Sequence, residues 1–229
     1  MLQIGIFLLA TIYIFKFADA SVQCEQKNVT IQWSTVVPNT PSTTHLIATW
    51  FCWKQGTQLD ENKVVHVTIH GFSYDHTYWS FPYQSSRYSY VDYIINHSND
   101  NIVVLNVDRL GVGLSSKPSL PTDVTIDSNA YVIYQLTKML YQGVYRNIQF
   151  RNIELVGHSL GTLTAWKVAS HPFHNQYTSG LIATGFLHVQ NPVGATAFIN
   201  SLYPVQLDPK FSHESIPTGY LTTNPFNNT

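Results

Sequence analysis

Gly157-His158-Ser159-Leu160-Gly161 sets a serine hydroxyl between two glycines, and the chemistry of that pattern is nucleophilic. A serine on a sharp strand-to-helix turn presents its hydroxyl at the head of the helix. Such a turn strains its own backbone and brings chain against chain, so small residues are needed two positions either side. Glu154-Leu155-Val156 reads as the strand before the turn, and Leu160 to Ala169 reads as the helix after it. The N–H of Leu160 then points where an oxyanion would form. The plainer reading is a structural turn whose serine caps the helix.

The rest of the chain must hold this turn in place. Asn28 to Ser34 and His45 to Trp53 alternate apolar and polar residues and predict two half-exposed strands, with Pro38 and Pro41 marking the turn between them. Val64 to Ile69 and Ile102 to Val107 are rich in β-branched residues and predict buried strands, ending at His70-Gly71 and at Asp108. Phe72 to Tyr90 reads as an aromatic, serine-rich loop that leads into a short helix over Val91 to His97. A second helix is expected from Thr125 or Asp127 to Gln142, stopped by Gly143. Ile153 to Gly157 and Gly180 to Val189 complete the strands. The alternation of strand and helix predicts an α/β fold with a mostly parallel sheet flanked by helices, the opening strands forming an antiparallel edge. After Asn191-Pro192 the rhythm stops, and no strong strand is expected in residues 193–229.

Three strings occur in one order: His70-Gly71, then Asp108-Arg109-Leu110-Gly111-Val112-Gly113-Leu114-Ser115, then Gly157-His158-Ser159-Leu160-Gly161. In that order the chain resembles the α/β-hydrolase superfamily, in its serine esterase and lipase-like branch, over roughly residues 45–190. The resemblance implies an acyl-serine mechanism with Ser159 as nucleophile. The N–H groups of Phe72 and Leu160 would form the oxyanion hole, with Gly71 letting the backbone turn. The alternative for His70 is a satisfied core histidine. Asp108 and Arg109 are expected to brace loops near the site by ion pairs and hydrogen bonds. Relatives with an aspartate nucleophile, the haloalkane dehalogenases and epoxide hydrolases, fit less well because the turn carries Ser159.

The activating pair is not evident. The resemblance implies the chain order serine, acid, histidine. After Ser159 the carboxylates are Asp208 and Glu214, and the histidines are His171, His174, His188 and His213. His171 and His174 fall at the far end of the nucleophile helix, roughly 15 Å from the serine. Asp208 and His213 have the right order but no strand to aim them. His158 sits beside the nucleophile and points elsewhere. The reading that follows is a fragment. Residues 1–20 are expected to be a signal peptide and residues 21–190 the N-terminal part of the hydrolase core. Residues 191–229 would open a cap or insert, with the remaining strands, most of the cap, the acid and the histidine lying beyond Thr229.

Composition narrows the remaining classes. The 229 residues carry 12 Lys+Arg against 13 Asp+Glu, and only 11% are charged. That balance argues against a nucleic-acid partner, which needs a basic patch. Ile4 to Phe15 is an apolar run of about 12 residues, short for a bilayer span and followed by the Ala18-Asp19-Ala20 cleavage pattern. It predicts a secreted, extracellular protein with no stable membrane span after cleavage; the alternative is an uncleaved anchor. Sequons begin at Asn28, Asn96 and Asn227. Cys24 and Cys52 are the only cysteines, either bridged or two free thiols. No metal set and no cofactor are implied. Two function classes stay open: a hydrolase of carboxylic esters (lipid, small ester or lactone), and a non-catalytic secreted binding module on a degenerate hydrolase fold. Acyl transfer or a lyase reaction on the same scaffold is a third option.

Overall fold

A computed structural model describes residues 21–33, 43–186 and 191–224. The expected signal peptide, the Pro38–Pro41 turn, His188 and the Asn227 sequon lie outside the described residues.

In chain order the strands are β1 (Val22–Trp33), β2 (Thr43–Lys54), β3 (Val64–Ile69), β4 (Ile102–Val107), β5 (Asn152–His158), β6 (Gly180–Thr184), β7 (Leu202–Pro204) and β8 (Leu221–Thr223). The helices are α1 (Ser85–Tyr88), α2 (Tyr90–His97), α3 (Ile126–Tyr141), α4 (Leu160–Ser170) and α5 (Pro192–Asn200). Six strands form one sheet in the order β1-β2-β4-β3-β5-β6, and β7 pairs with β8 as a separate two-stranded ribbon. β1 and β2 run antiparallel to each other, and β2 runs antiparallel to β4. The pairs β3–β4, β3–β5 and β5–β6 are parallel. Parallel neighbours need a crossover, and helices supply it. The architecture is a mostly parallel central sheet flanked by helices.

The two faces of the sheet bury different partners. On one face Val65, Val67 and Ile69 of β3 and Val103, Leu105 and Val107 of β4 pack with Ile133, Leu136 and Leu140 of α3 and Ala165 and Val168 of α4. On the other, Val104 and Val156 meet Trp79 and Val91 and Ile95 of α2. β3 and β4 are therefore covered on both sides, which is why their sequences are mostly apolar and β-branched on both faces rather than apolar on one and exposed polar on the other. α3 starts at a reciprocal cap: Thr125 Oγ1 accepts from Ser128 N–H at 3.0 Å, and Ser128 Oγ accepts from Thr125 N–H at 2.8 Å.

Several elements differ from the sequence expectation: α1 interrupts the expected Phe72–Tyr90 loop, and β6 stops at Thr184, Gly185 and Phe186 being outside it. β1 starts at Val22 instead of Asn28, because the whole strand pairs with β2, from Val22↔Lys54 to Trp33↔Thr43. A disulfide joins Cys24 to Cys52 at one of these paired positions. Residues after Asn191 are not without structure. Asn191 Oδ1 accepts from Val193 and Gly194 N–H, Pro192 takes the first helical position, and α5 follows. The ribbon β7–β8 comes next, with Tyr220 Oη donating to the Pro118 carbonyl at 3.0 Å to dock it on the Gly111–Pro121 loop.

Candidate active site

β5 ends at His158 and α4 begins at Leu160, so Ser159 is the whole connection between strand and helix. Its backbone sits at φ 53°, ψ −118°, a conformation that costs a non-glycine residue about 1–3 kcal/mol. Hydrogen bonds across to β6 hold it there. Ser159 N–H donates to the Thr184 carbonyl at 3.0 Å. Thr162 Oγ1 donates to the same carbonyl at 2.8 Å, and Thr184 Oγ1 donates to the Gly157 carbonyl at 2.8 Å. Thr162 and Thr184 escaped the sequence reading, since their role depends on β6 lying beside β5.

The flanking glycines are dictated by space. A Cβ on Gly161 would lie 2.0 Å from the Ile69 carbonyl oxygen, and one on Gly157 would lie 2.6 Å from Thr162 Cα. The first contact is with the end of β3, so the turn is pressed against the strand that leads into His70-Gly71. The same approach puts Gly71 beside the serine: a Cβ there would be 3.4 Å from Ser159 Cβ.

Ser159 is half-exposed and its side chain makes no capping bond to α4. The serine is therefore in the N-cap position without acting as a cap, and its hydroxyl is not consumed by the helix. Leu160 is the first helical residue, so its N–H precedes the i→i−4 ladder and has no intrahelical acceptor. No acceptor among the described residues takes the Phe72 N–H either. The Phe72 ring is 44% exposed and meets Phe198 of α5 edge-on, ring centres 5.1 Å apart.

Behind this loop lies a buried polar core. Arg109 Nε donates to the His70 carbonyl at 3.1 Å and Nη2 to the Gly71 carbonyl at 2.9 Å. Arg109 N–H points at His70 Nε2, 3.1 Å away. That nitrogen must accept, so the proton of neutral His70 sits on Nδ1, which donates to the Gly71 carbonyl at 2.8 Å. His70 is fully buried, and burial, helped by the adjacent Arg109 charge, lowers its pKa to about 3. Both ring nitrogens are engaged, which makes His70 a structural histidine and not a proton shuttle. Burial lowers Arg109 to about 10, so it stays charged at neutral pH.

Asp108 is equally occupied. Oδ1 accepts from His76 N–H at 2.7 Å and lies 2.9 Å from His76 Nδ1, while Oδ2 accepts from Leu114 N–H at 2.8 Å. His76 stacks on Trp50 of β2, ring centres 3.5 Å apart. Asp75, His76 and Asp108 bring one ligand-type atom each within 4.8 Å of one another. Internal donors already hold these atoms, Asp75 Oδ1 accepting from Thr77 N–H and Oγ1, so the cluster reads as a loop brace.

No described histidine is hydrogen-bonded to Ser159. His158 stacks on Tyr78 with ring centres 4.4 Å apart, its Nδ1 3.3 Å from Thr184 Oγ1, and burial lowers its pKa. His171 and His174 stack on each other, and His174 stacks on Tyr134, past the far end of α4, a helix about 16 Å long. Asp208 is buried and accepts from Lys210 N–H, His213 is exposed, and no bond joins the two among the described residues. The structure thus brings Gly71 beside Ser159, with Phe72 and Leu160 as their chain neighbours, and leaves the described histidines after Ser159 elsewhere.

Solved α/β-hydrolases are similar to this chain. An epoxide hydrolase mutant from Aspergillus niger matches at 17% identity and a TM-score of 0.47, covering 73% of this chain and 36% of that one. Epoxide hydrolases of the alpha/beta hydrolases superfamily from hot-environment metagenomes match at 22% identity, TM-score 0.43, covering 69% and 41%. An esterase from Pyrococcus furiosus matches at 17% identity, TM-score 0.43, covering 66% and 49%. The chain spans less than half the length of each of the three. No family model and no curated protein matches it.

Proposed function

We propose that the chain is part of a secreted serine hydrolase that cleaves carboxylic esters, whether lipid, small ester or lactone, through an acyl-Ser159 intermediate. The observation that carries this reading is the Ser159 backbone at φ 53°, held between β5 and α4 with a hydroxyl that does not cap the helix. A strained backbone around a serine hydroxyl that the helix does not use supports a nucleophile turn over a simple cap.

In the proposed reaction Ser159 Oγ attacks the ester carbonyl carbon and gives up its proton to a base. The carbonyl oxygen becomes an oxyanion that accepts from the Phe72 and Leu160 N–H groups. The carbon–oxygen bond to the leaving alcohol breaks as that oxygen takes the proton, and water then hydrolyses the acyl-serine. The base and the acid that orients it are assigned to residues outside those described. The half-exposed rings of Phe72, Tyr74 and Tyr78 would line an apolar acyl site. A serine nucleophile favours an ester over the epoxide named for two of the similar structures.

The test is labelling of the full-length protein by a fluorophosphonate, with Ser159→Ala as control. Labelling lost in the variant supports the hydrolase. A complete, folded, disulfide-bonded chain that resists labelling supports the second reading, a secreted binding module. The missing histidine partner of Ser159 among the described residues is the observation that favours the latter. Product analysis with an added alcohol separates hydrolysis from acyl transfer.

A further inference from the structure

Asn28-Val29-Thr30 lies midway along β1, which among the described residues has one neighbour in the sheet, β2. Val29 and Ile31 turn inward and are buried. The alternate residues Cys24, Gln26, Asn28, Thr30 and Gln32 are exposed, and none of them carries a charge. Charge on β1 belongs to the other register, where Glu25 meets Arg146 at 2.7 Å and Lys27 donates to the Tyr145 carbonyl at 3.3 Å. Asn28 Oδ1 accepts from Gln26 Nε2 at 2.9 Å, and its amide nitrogen has no acceptor among the described residues. The disulfide from Cys24 to Cys52 stands on the same face. Disulfides persist in the oxidising compartments where N-x-S/T sites are glycosylated.

The other described sequon is differently placed. Asn96 is partly buried in the last turn of α2. Ser98 Oγ donates to the Ile95 carbonyl at 3.3 Å and accepts from Ile102 N–H at 3.1 Å, closing the turn into β4.

We propose that Asn28 is N-glycosylated and that the glycan shields the open edge of the sheet at β1. The Asn28 amide nitrogen bonds to the anomeric carbon of a lipid-pyrophosphate-linked oligosaccharide. The carbon–oxygen bond to the pyrophosphate breaks, and one amide proton leaves to a base of the transferase. A long edge strand invites pairing with another chain, and proteins blunt such edges with charge, bulges or cover. The Asn28 register lacks charge, the exposed Glu25 and Lys27 of the other register are tied to Arg146 and the Tyr145 carbonyl, and a bulky hydrated glycan supplies the cover. The inference rests on the secretory half of the proposed function and is independent of the chemistry at Ser159.

The experiment expresses the full chain with its leader in a eukaryotic secretory host, treats the secreted protein with an N-glycosidase in ¹⁸O-water, and maps peptides. The expected result is an ¹⁸O-labelled aspartate at position 28. Asn28→Gln and Thr30→Ala should each lose one glycan's gel shift and self-associate more in sedimentation. Secreted, disulfide-bonded protein with unmodified Asn28 overturns the proposal, as does a chain retained unmodified in the cytosol. Glycosylated wild type with an Asn28→Gln variant that stays monomeric overturns the edge-shielding part. The peptide map needs wild-type protein alone, so a variant that fails to fold does not blunt it, and fluorophosphonate labelling reads Ser159 separately.

Discussion

Arg109 Nη2 donates to the Gly71 carbonyl at 2.9 Å, so a buried cation fixes the peptide that precedes Phe72. With Nε on the His70 carbonyl, one guanidinium clamps two successive carbonyls, and lysine cannot reproduce that fork. Arg109→Lys is expected to cost about 1–3 kcal/mol, read as a lower urea midpoint with an unchanged slope, because one buried carbonyl loses its donor. Under the proposed function, the same variant in the full-length protein should lower kcat for an ester more than it raises KM, since the Phe72 N–H would be mis-aimed. An unchanged midpoint would remove Arg109 from its role as positioning residue.

Ser159 holds strain that glycine would not feel. Ser159→Gly should stabilise the fold by about 1 kcal/mol, the relief of the φ 53° conformation exceeding the entropy glycine adds to the unfolded chain. Ser159→Ala keeps the strain and should not gain. Thermal melts of the two variants side by side check this, and both should lose fluorophosphonate labelling. A Ser159→Gly melt no higher than that of Ser159→Ala would mean the turn is unstrained.

Gly161→Ala brings a methyl to within 2.0 Å of the Ile69 carbonyl oxygen and 2.7 Å of the His70 carbonyl oxygen. Both are backbone and neither can rotate aside, so the cost is expected at about 3 kcal/mol or more. Gly180→Ala is the control, since its methyl meets the flexible Glu154 side chain at 3.3 Å and should cost within about 0.5 kcal/mol. Equal urea midpoints for the two variants would refute the close approach of α4 to β3.

Where the signal was local, the sequence was readable. Val64–Ile69 and Ile102–Val107 are strands to the residue, because burial on both faces leaves runs that are mostly apolar and β-branched, interrupted only by the buried polar His66, Thr68 and Asn106. The serine turn was readable from its five-residue pattern, although the contact that demands Gly161 comes from the Ile69 carbonyl of β3. Where the signal was distant, it was not. The early start of β1 follows from pairing with β2, and the Thr162–Thr184 lock joins residues that only the sheet order brings together. α5 carried a cap and a helix-start proline, but Gly194, Thr196 and the absence of a charged face hid its period. The Phe72 edge contact with Phe198 is likewise a product of the fold.

Acid should destabilise the protein through His70. Unfolded, this histidine takes up a proton near pH 6.5; folded, it resists until about pH 3. Between those values the unfolded state binds more protons, so stability is complete above 6.5 and falls as the pH drops. The slope approaches roughly 1.4 kcal/mol per pH unit. His66 adds in the same direction, burial outweighing the pull of Glu154. Urea midpoints at a series of pH values from 7 to 4 should fall for wild type and fall less steeply for His70→Asn. A pH-independent midpoint across that range would contradict a buried neutral His70.

The Cys24–Cys52 disulfide closes a loop with a sequence separation of 28, and removing it should cost about 3–4 kcal/mol in the chain-entropy description. Because β1 is an outer strand whose exposed register makes few other ties, the loss should concentrate there. Reductant, or the double variant Cys24→Ser with Cys52→Ser, is expected to lower the melting temperature. It should also speed amide exchange over β1 while leaving β3 and β4 protected. Exchange that rises equally in β1 and β3 would show that the bridge supports the whole sheet instead of fastening its edge.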